Sequence, residues 1–410
     1  MTQKDTEILR NLANVYMEVA TLPVQNEKIE LWKSLNAGKM QRPMVTICQL
    51  PLHELNGDGE LTLHVEDPVF RQVENEMRQL LYKWKNFPAD MVVEPIIPIP
   101  MAIGGFDYGM EVQEDISVSD AANSVVSHYY TNQFKTLEDV GKIKDMQITH
   151  DEAETNCRME LANEIFAGIA PVRPKGHIFH LGPWDNLSTW MGIEAVYMEL
   201  VDNPELMHAL VRRHTDAIIA GLMQANELGV VDSQSNLCHC SHIYTNELLP
   251  SPGAGGAQTT YNSWGFGLAQ PFTSVSPATT KEFEIPYITE MAKYFGGIYY
   301  GCCDRLCDRM DMVKQIPNVR KLSCSPWSDR EKFAEQIGPT LTMSAKPNPA
   351  FVANSSIDYS VIEKDIRETV EAARRHNVNL EFILKDISTV QYQPQRLQKW
   401  NEIVMKVVES

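Results

Sequence analysis

No stretch of this 410-residue chain approaches the ~18–20 consecutive apolar residues that a membrane-spanning helix needs. The first twenty residues, "MTQKDTEILRNLANVYMEVA", read as an amphipathic helix and lack the continuous apolar centre of a secretion signal. No membrane association and a cytoplasmic location are therefore expected. Basic residues are scarce: 36 Lys and Arg face 54 Asp and Glu, a formal charge of −18 at pH 7. Such a surface repels phosphate backbones, and no basic patch offsets it, which argues against nucleic acid as a partner. Low-complexity segments are missing as well, so the composition is that of a folded globular protein. The Gly-rich phosphate loop of nucleotide-binding sheets is also absent, because "GGFDYGM" (104–110) does not match the dinucleotide fingerprint.

What is present is a rhythm. From residue 170 onward, apolar β-forming runs lead into loops and then into segments with helical spacing. "KGHIFHLGPWDN" precedes a long helical region broken at Asn203-Pro204, and "VVDSQSNLCHCSHIYTNEL" reads as a further strand and loop. "FTSVSP", "GIYYGCCD", "VRKLSCSPWSD", "LTMSAKPNP" and "NLEFILKDIST" each precede a helix in the same way. Repeated strand–loop–helix units predict an α/β fold with a parallel sheet, and their number and the chain length suit a single (β/α)8 TIM barrel. On this reading residues 1–410 are one barrel domain, and residues 1–90 are an N-terminal helical extension packed on it. Active sites of such barrels lie where the strands end. Cysteine, histidine, lysine and aspartate concentrate at those positions here.

Eight cysteines without a secretion signal are expected to be free thiols, and their clustering favours metal binding or catalysis over disulfides. In "CHCSH" an extended chain would put Cys238, Cys240 and His242 on one side and His239 on the other. In "YYGCCDRLCD" Gly301 permits an unusual backbone where a strand stops, and one of Cys302 and Cys303 is expected to be a ligand. Cys307, a helical turn onward, is expected to face the core. Cys324 ends the next strand and is a further candidate, set against a plain buried cysteine. Asp304 and Asp386 are acid/base candidates, each weighed against helix capping. Lys385 could anchor an anion, form a Schiff base, or simply pair with Asp386.

The segments "WGFGLAQPFTSVSPATTKEFEIPYITEMAKYFGGIYYGCCDRL", "IPNVRKLSCSPWSDREKFAEQIG", "SAKPNP" and "LKDISTV" resemble the uroporphyrinogen decarboxylase superfamily, in a bacterial branch related to zinc- and corrinoid-dependent methyltransferases. The resemblance covers most of residues 170–405. It implies a single (β/α)8 barrel with helical N-terminal additions, and one of two chemistries: cofactor-free decarboxylation, or zinc-dependent methyl transfer to a thiol. In the second, zinc is held by a His-x-Cys pair and a last-strand cysteine, and keeps the incoming thiol as thiolate. This chain departs from both patterns. The arginine-rich decarboxylase motif is reduced to Arg42 in "QRPMVTI", the His-x-Cys pair is Tyr300-Gly301-Cys302, and "ILKDIS" stands where the last cysteine would be.

The resemblance thus implies a zinc-dependent methyltransferase, working with a small substrate or a corrinoid protein partner, and a homodimer by analogy. Metal ligands would come from Cys240, His239, His242, Cys302, Cys303 and Cys324. Tyr300, Asp304, Lys385 and Asp386 would serve catalysis, and Arg42, His180, Trp184, Trp327 and Lys346 would bind substrate. The alternatives are a metal-free decarboxylase-like lyase and a non-catalytic corrinoid- or tetrapyrrole-binding protein. The latter is disfavoured by the absence of an Asp-x-His-x-x-Gly signature.

Overall fold

The computed structural model describes residues 1–118, 126–248 and 259–410. The strands that position the site are β1 (Met44–Ile47), β2 (Ile97–Pro100), β3 (Val172–Lys175), β4 (His180–Leu181), β5 (Leu237–Cys238), β6 (Ser241–His242), β7 (Trp264–Gly267), β8 (Gly297–Tyr300), β9 (Val319–Cys324), β10 (Thr342–Ala345) and β11 (Asn379–Leu384). Seven of them form an all-parallel sheet in the order β1-β11-β10-β9-β8-β7-β4. Parallel neighbours need long crossovers. Helices Pro277–Phe283 and Ile285–Ala292 supply one between β7 and β8, Arg330–Ile337 one between β9 and β10, and Tyr359–Arg375 one between β10 and β11.

The observed architecture is mixed α/β around this seven-stranded sheet. Among the described residues, no continuous ladder joins its edges, β1 and β4, into the eight-stranded ring the sequence suggests. The chain between those edges is drawn round them all the same. The Asp90 N–H donates to the Val45 carbonyl (2.9 Å), β2 pairs in parallel with β3, and β3 runs on into β4. Part of the gap has a plain cause: Pro98 and Pro100 of β2 have no N–H to give to a ladder.

Alternation along the strands sorts the side chains onto two faces. Val45, Ile298, Tyr300, Leu322, Cys324, Met343, Phe382 and Leu384 face the helices and pack with Ile362, Ile366, Leu397 and Trp400. Burying each such large apolar side chain contributes roughly 1.5–3 kcal/mol. The opposite, inner face carries Thr46, Tyr299, Lys321, Ser323, Ser344, Lys346, Glu381 and Ile383, all buried. An antiparallel hairpin, β5–β6, packs on this inner face. Its Cys238 and Cys240 share an apolar cluster with Phe266, Tyr299, Cys302 and Ile383.

The N-terminal segment contains the expected helices, Gln3–Ala20, Pro23–Asn36 and Pro68–Asn86, the first started by a capping box between Thr2 and Asp5. It also contributes β1 to the sheet. Leu9, Ala13 and Tyr16 of the first helix and Phe70, Val73 and Met77 of the third cover Ile97 and Ile99 of β2.

Deep on the inner face, the Lys321 ammonium meets Glu381 Oε2 at 2.8 Å and Ser241 Oγ at 2.6 Å, with both charged side chains fully buried. Removing one partner strands a buried charge, whereas replacing both does not. Lys321→Met alone should therefore cost about 3–5 kcal/mol in urea unfolding. The double variant Lys321→Met/Glu381→Leu should recover most of that loss.

Candidate functional site

The site is built where the inner face opens at the C-terminal ends of β8 and β11. After β8 the chain passes through Gly301 at φ +90, a left-handed conformation that glycine adopts without steric cost. A Cβ there would also meet Leu306 at 2.9 Å. This turn aims the next side chain, Cys302, inward. The Asp304 carboxylate fixes the turn by accepting the Cys302 N–H at 2.7 Å and the Ala269 N–H at 3.2 Å.

Lys385, the first residue after β11, places its Nζ 2.9 Å from Cys302 Sγ. The same ammonium lies 2.7 Å from Asp386 Oδ2 and 3.5 Å from Gln49 Oε1. His239 at the hairpin tip brings Nε2 to 3.9 Å from Cys302 Sγ and stacks on Phe266, with ring centroids 4.3 Å apart. Cys303 Sγ lies 4.0 Å from Cys302 Sγ and 3.4 Å from Asp386 Oδ2, and its one proton can go to either. Gln49, His239 and Asp386 all have φ near +50 to +56, in the left-handed region. Such strain in non-glycine residues clusters at functional sites.

These contacts set the charge state. The Cys303 thiol, hydrogen-bonded to the Cys302 sulfur, pushes the Cys302 thiol far below its ordinary range. Burial opposes this, and His239 and the Lys385 ammonium add to the lowering. Cys303 moves up through the same contact and through burial. Burial would pull Lys385 down, but the Cys302 thiolate and Asp386 outweigh it and hold it above the usual lysine value. Cys302 and Lys385 thus form a buried thiolate–ammonium pair.

Behind Cys302 lies a group of acids, of which the sequence singled out only Asp304. Asp185 is pushed up to about 7 by burial and by Asp304, against hydrogen bonds from Gln270 (2.7 Å and 3.2 Å). Burial likewise raises Asp304, and raises Glu284 well above its ordinary value while Tyr300 donates to it at 3.0 Å. Below Cys302, Lys346 donates to Tyr299 and, at 2.6 Å, to Ser344 Oγ. Burial pulls Lys346 down to about 8.

Several residues are placed differently from expectation. Residues 237–242 are a tight hairpin, not an extended strand end, so their side chains do not simply alternate. His239 and Cys240 form the tip, while His242 is carried to the far end of the inner face against Trp32 (centroids 5.2 Å). Cys240 is disulfide-bonded to Cys48, which follows β1, and this corrects the expectation of eight free thiols. Tyr300 points outward to Glu284, and its neighbour Tyr299 is the inward residue, as strand alternation requires. Cys324 packs in the outer, helix-facing core, away from Cys302, while Cys307 faces the core as expected.

Arg42 lies before β1, at the opposite end of the strands, where it forms a two-point pair with Asp90 (2.6 and 2.9 Å). Trp184 is fully buried and donates to the Phe283 carbonyl at 3.1 Å, so it lines core. His180 stands edge-on to Phe266, its centroid 6.5 Å from that of His239. Trp327 is exposed in the loop after β9. The structure thus brings together Cys302, Cys303, Lys385, Asp386 and His239, with Asp304 beneath them. Among the described residues, no three His, Cys, Asp or Glu side chains are grouped as a metal ion would need.

No family model matches the chain, and no curated protein does. Among solved structures, a methyltransferase from Methanosarcina mazei superposes over 91% of this chain and 97% of its own, with a TM-score of 0.51 and 11% identity. A B12-independent methionine synthase from a Shewanella species, in complex with selenomethionine, covers 75% of this chain and 76% of its own at 11% identity, with a TM-score of 0.31. At such identity, the first likeness is one of fold.

An opposite charge within ~4–6 Å moves a pKa by about 1–3 units. With its thiol held low, Cys302 should be alkylated by iodoacetamide at a rate nearly independent of pH between about 5 and 8, where an ordinary thiol speeds up about tenfold per unit. Lys385→Met should move the pH at which the rate begins to fall up by at least about one unit. Peptide mass spectrometry of Cys302 reads both.

Proposed function

We propose that this chain is a methyl-transfer enzyme of the barrel class, with β2 and β3 completing the ring and the Cys302 thiolate as the group that accepts the methyl. The contact between Lys385 Nζ and Cys302 Sγ at 2.9 Å carries the reading. A thiolate, not a thiol, attacks an sp³ carbon, and here the protein holds one at neutral pH without needing a base to remove the proton. The fold likeness to a methyltransferase supports it.

In the step, a Cys302 lone pair forms the S–CH3 bond as the bond from carbon to the leaving group breaks. The leaving group departs with that electron pair. Lys385 loses its anionic partner as Cys302 is methylated and turns fully to Asp386, which already lies 2.7 Å away. Suitable donors carry methyl on a cationic or otherwise activated centre: a sulfonium, a quaternary ammonium, or a corrinoid held by a partner protein.

A second reading keeps the zinc expected from the donor types. Thiolates on one tetrahedral zinc, with bonds of about 2.3 Å, stand ~3.8 Å apart. The 4.0 Å separation of Cys302 and Cys303 suits two ligands of one ion, but no third His, Cys, Asp or Glu among the described residues completes the set. The donor set as it stands does not fit a resident ion, because the Lys385 ammonium sits on Cys302 and would have to leave.

Incubation with methylcobalamin, a methylsulfonium and a tetramethylammonium salt should add one methyl to the Cys302 peptide with at least one donor, and to no peptide in Cys302→Ser. These donors release leaving groups that need no proton, so with the thiol already held low the rate should vary little between about pH 5 and 8. No methylation by any of the three donors, with Cys302 still open to alkylation, contradicts the proposal. Metal analysis of the same preparation decides the second reading: about one zinc per chain, lost in Cys302→Ser/Cys303→Ser, would support it.

A further inference from the structure

The Cys48–Cys240 disulfide lies in the same apolar cluster as Cys302 and Cys303. It joins two segments far apart in the chain, at a sequence separation of 192, with the Cα atoms 6.2 Å apart. Each segment carries a residue that touches the thiolate–ammonium pair. Gln49, next to Cys48, accepts from Lys385 Nζ (3.5 Å) and from the Asp386 N–H (3.3 Å). His239, next to Cys240, meets Cys302 Sγ at 3.9 Å. Both are held at positive φ, +49 and +52. Under them Cys302 is only 4% exposed. Apart from the disulfide, Cys240 has one further tie to the β1 strand, a 3.0 Å bond from Thr46 Oγ1 to its carbonyl.

We infer that the Cys48–Cys240 disulfide is a redox-operated gate over Cys302. Intact, it pins Gln49 and His239 across the thiolate; reduced, it lets the hairpin tip lift and opens Cys302 to molecules entering from the strand ends. The inference rests on the proposed role of Cys302 and adds regulation to it. The step is ordinary thiol–disulfide exchange with a dithiol reductant. The Cys48–Cys240 S–S bond breaks, each sulfur ends as a thiol with one proton, and the reductant is left as its own disulfide. Disulfides in reducing compartments are characteristically transient, catalytic or redox-sensing rather than structural. This one tethers loops at a reactive thiol and leaves the helix-packed outer core untouched.

The experiment uses the full chain, purified without reductant and treated with oxidised glutathione. The Cys48–Cys240 linkage is quantified by peptide mass spectrometry, and alkylation of Cys302 by N-ethylmaleimide is timed at one fixed pH, before and after a dithiol reductant. Reduction should speed Cys302 alkylation on the order of tenfold by improving access. Cys48→Ser and Cys240→Ser should both show the fast rate whether or not reductant is present, with unchanged circular dichroism. The inference is overturned if no Cys48–Cys240 linkage forms, if the Cys302 rate is the same in both states, or if it follows reductant equally in the serine variants. Because the readout is access of a maleimide and not methyl transfer, failure of the gate leaves the methyl-transfer reading standing. Failure of Cys302 methylation likewise leaves the gate standing.

Discussion

An ammonium held 2.9 Å from a buried sulfur is the constraint around which the rest of the site is arranged. Two unit charges about 4 Å apart attract by about 4 kcal/mol at the effective dielectric that applies near a protein surface. That corresponds to roughly three pKa units, enough to offset the burial that would otherwise keep Cys302 protonated. The pair works only if both backbones are placed to within a fraction of an ångström. Gly301 and the Asp304 carboxylate place Cys302, while β11, Gln49 and Asp386 place Lys385.

The inner face explains why an anion is welcome there. Three lysines, Lys321, Lys346 and Lys385, project into it from β9, from the end of β10 and from the end of β11, and all are buried. Glu381 answers the first, and Tyr299 and Ser344 receive hydrogen bonds from the second. The third is left to Cys302 and to Asp386 at the rim. Filling this space with a hairpin rather than with long apolar side chains lets the main chain carry His239 up to the sulfur. The polar layer beneath pairs each buried lysine, though Oε1 of Glu381 is left without a partner.

Much of this was legible in the sequence, and the reasons the remainder was not are local. The strand–helix rhythm from residue 170 gave a parallel α/β sheet, and the strand-end rule drew attention to Cys302, Cys303, Lys385, Asp386 and Asp304, which the structure does bring together. Two-residue alternation failed at "CHCSH", because a tight turn at His239 folds the segment back on itself, and nothing in five residues distinguishes that from an extended strand. Tyr299 and Tyr300 could not be told apart without knowing which parity faces inward. Arg42 drew attention as the remnant of the arginine-rich motif that the resemblance implies, yet it sits before its strand, at the end away from the site. Cys48 and Gln49 carried no motif of their own; their importance comes from β1 pairing with β11, a contact between residues more than 330 apart in the chain.

The central claim is that the folded protein carries a thiolate at Cys302, to which Cys303, His239 and the adjacent Lys385 ammonium all contribute. Ultraviolet absorbance of thiolate, followed on lowering the pH from about 8 to about 4 and taken as the difference between the native protein and Cys302→Ser, tests that directly. The account predicts one thiolate's absorbance at neutral pH that persists well below pH 6 and is lost at a pH at least about one unit higher in Lys385→Met. A difference spectrum that appears only above about pH 8, or that is the same with and without Lys385, would contradict it.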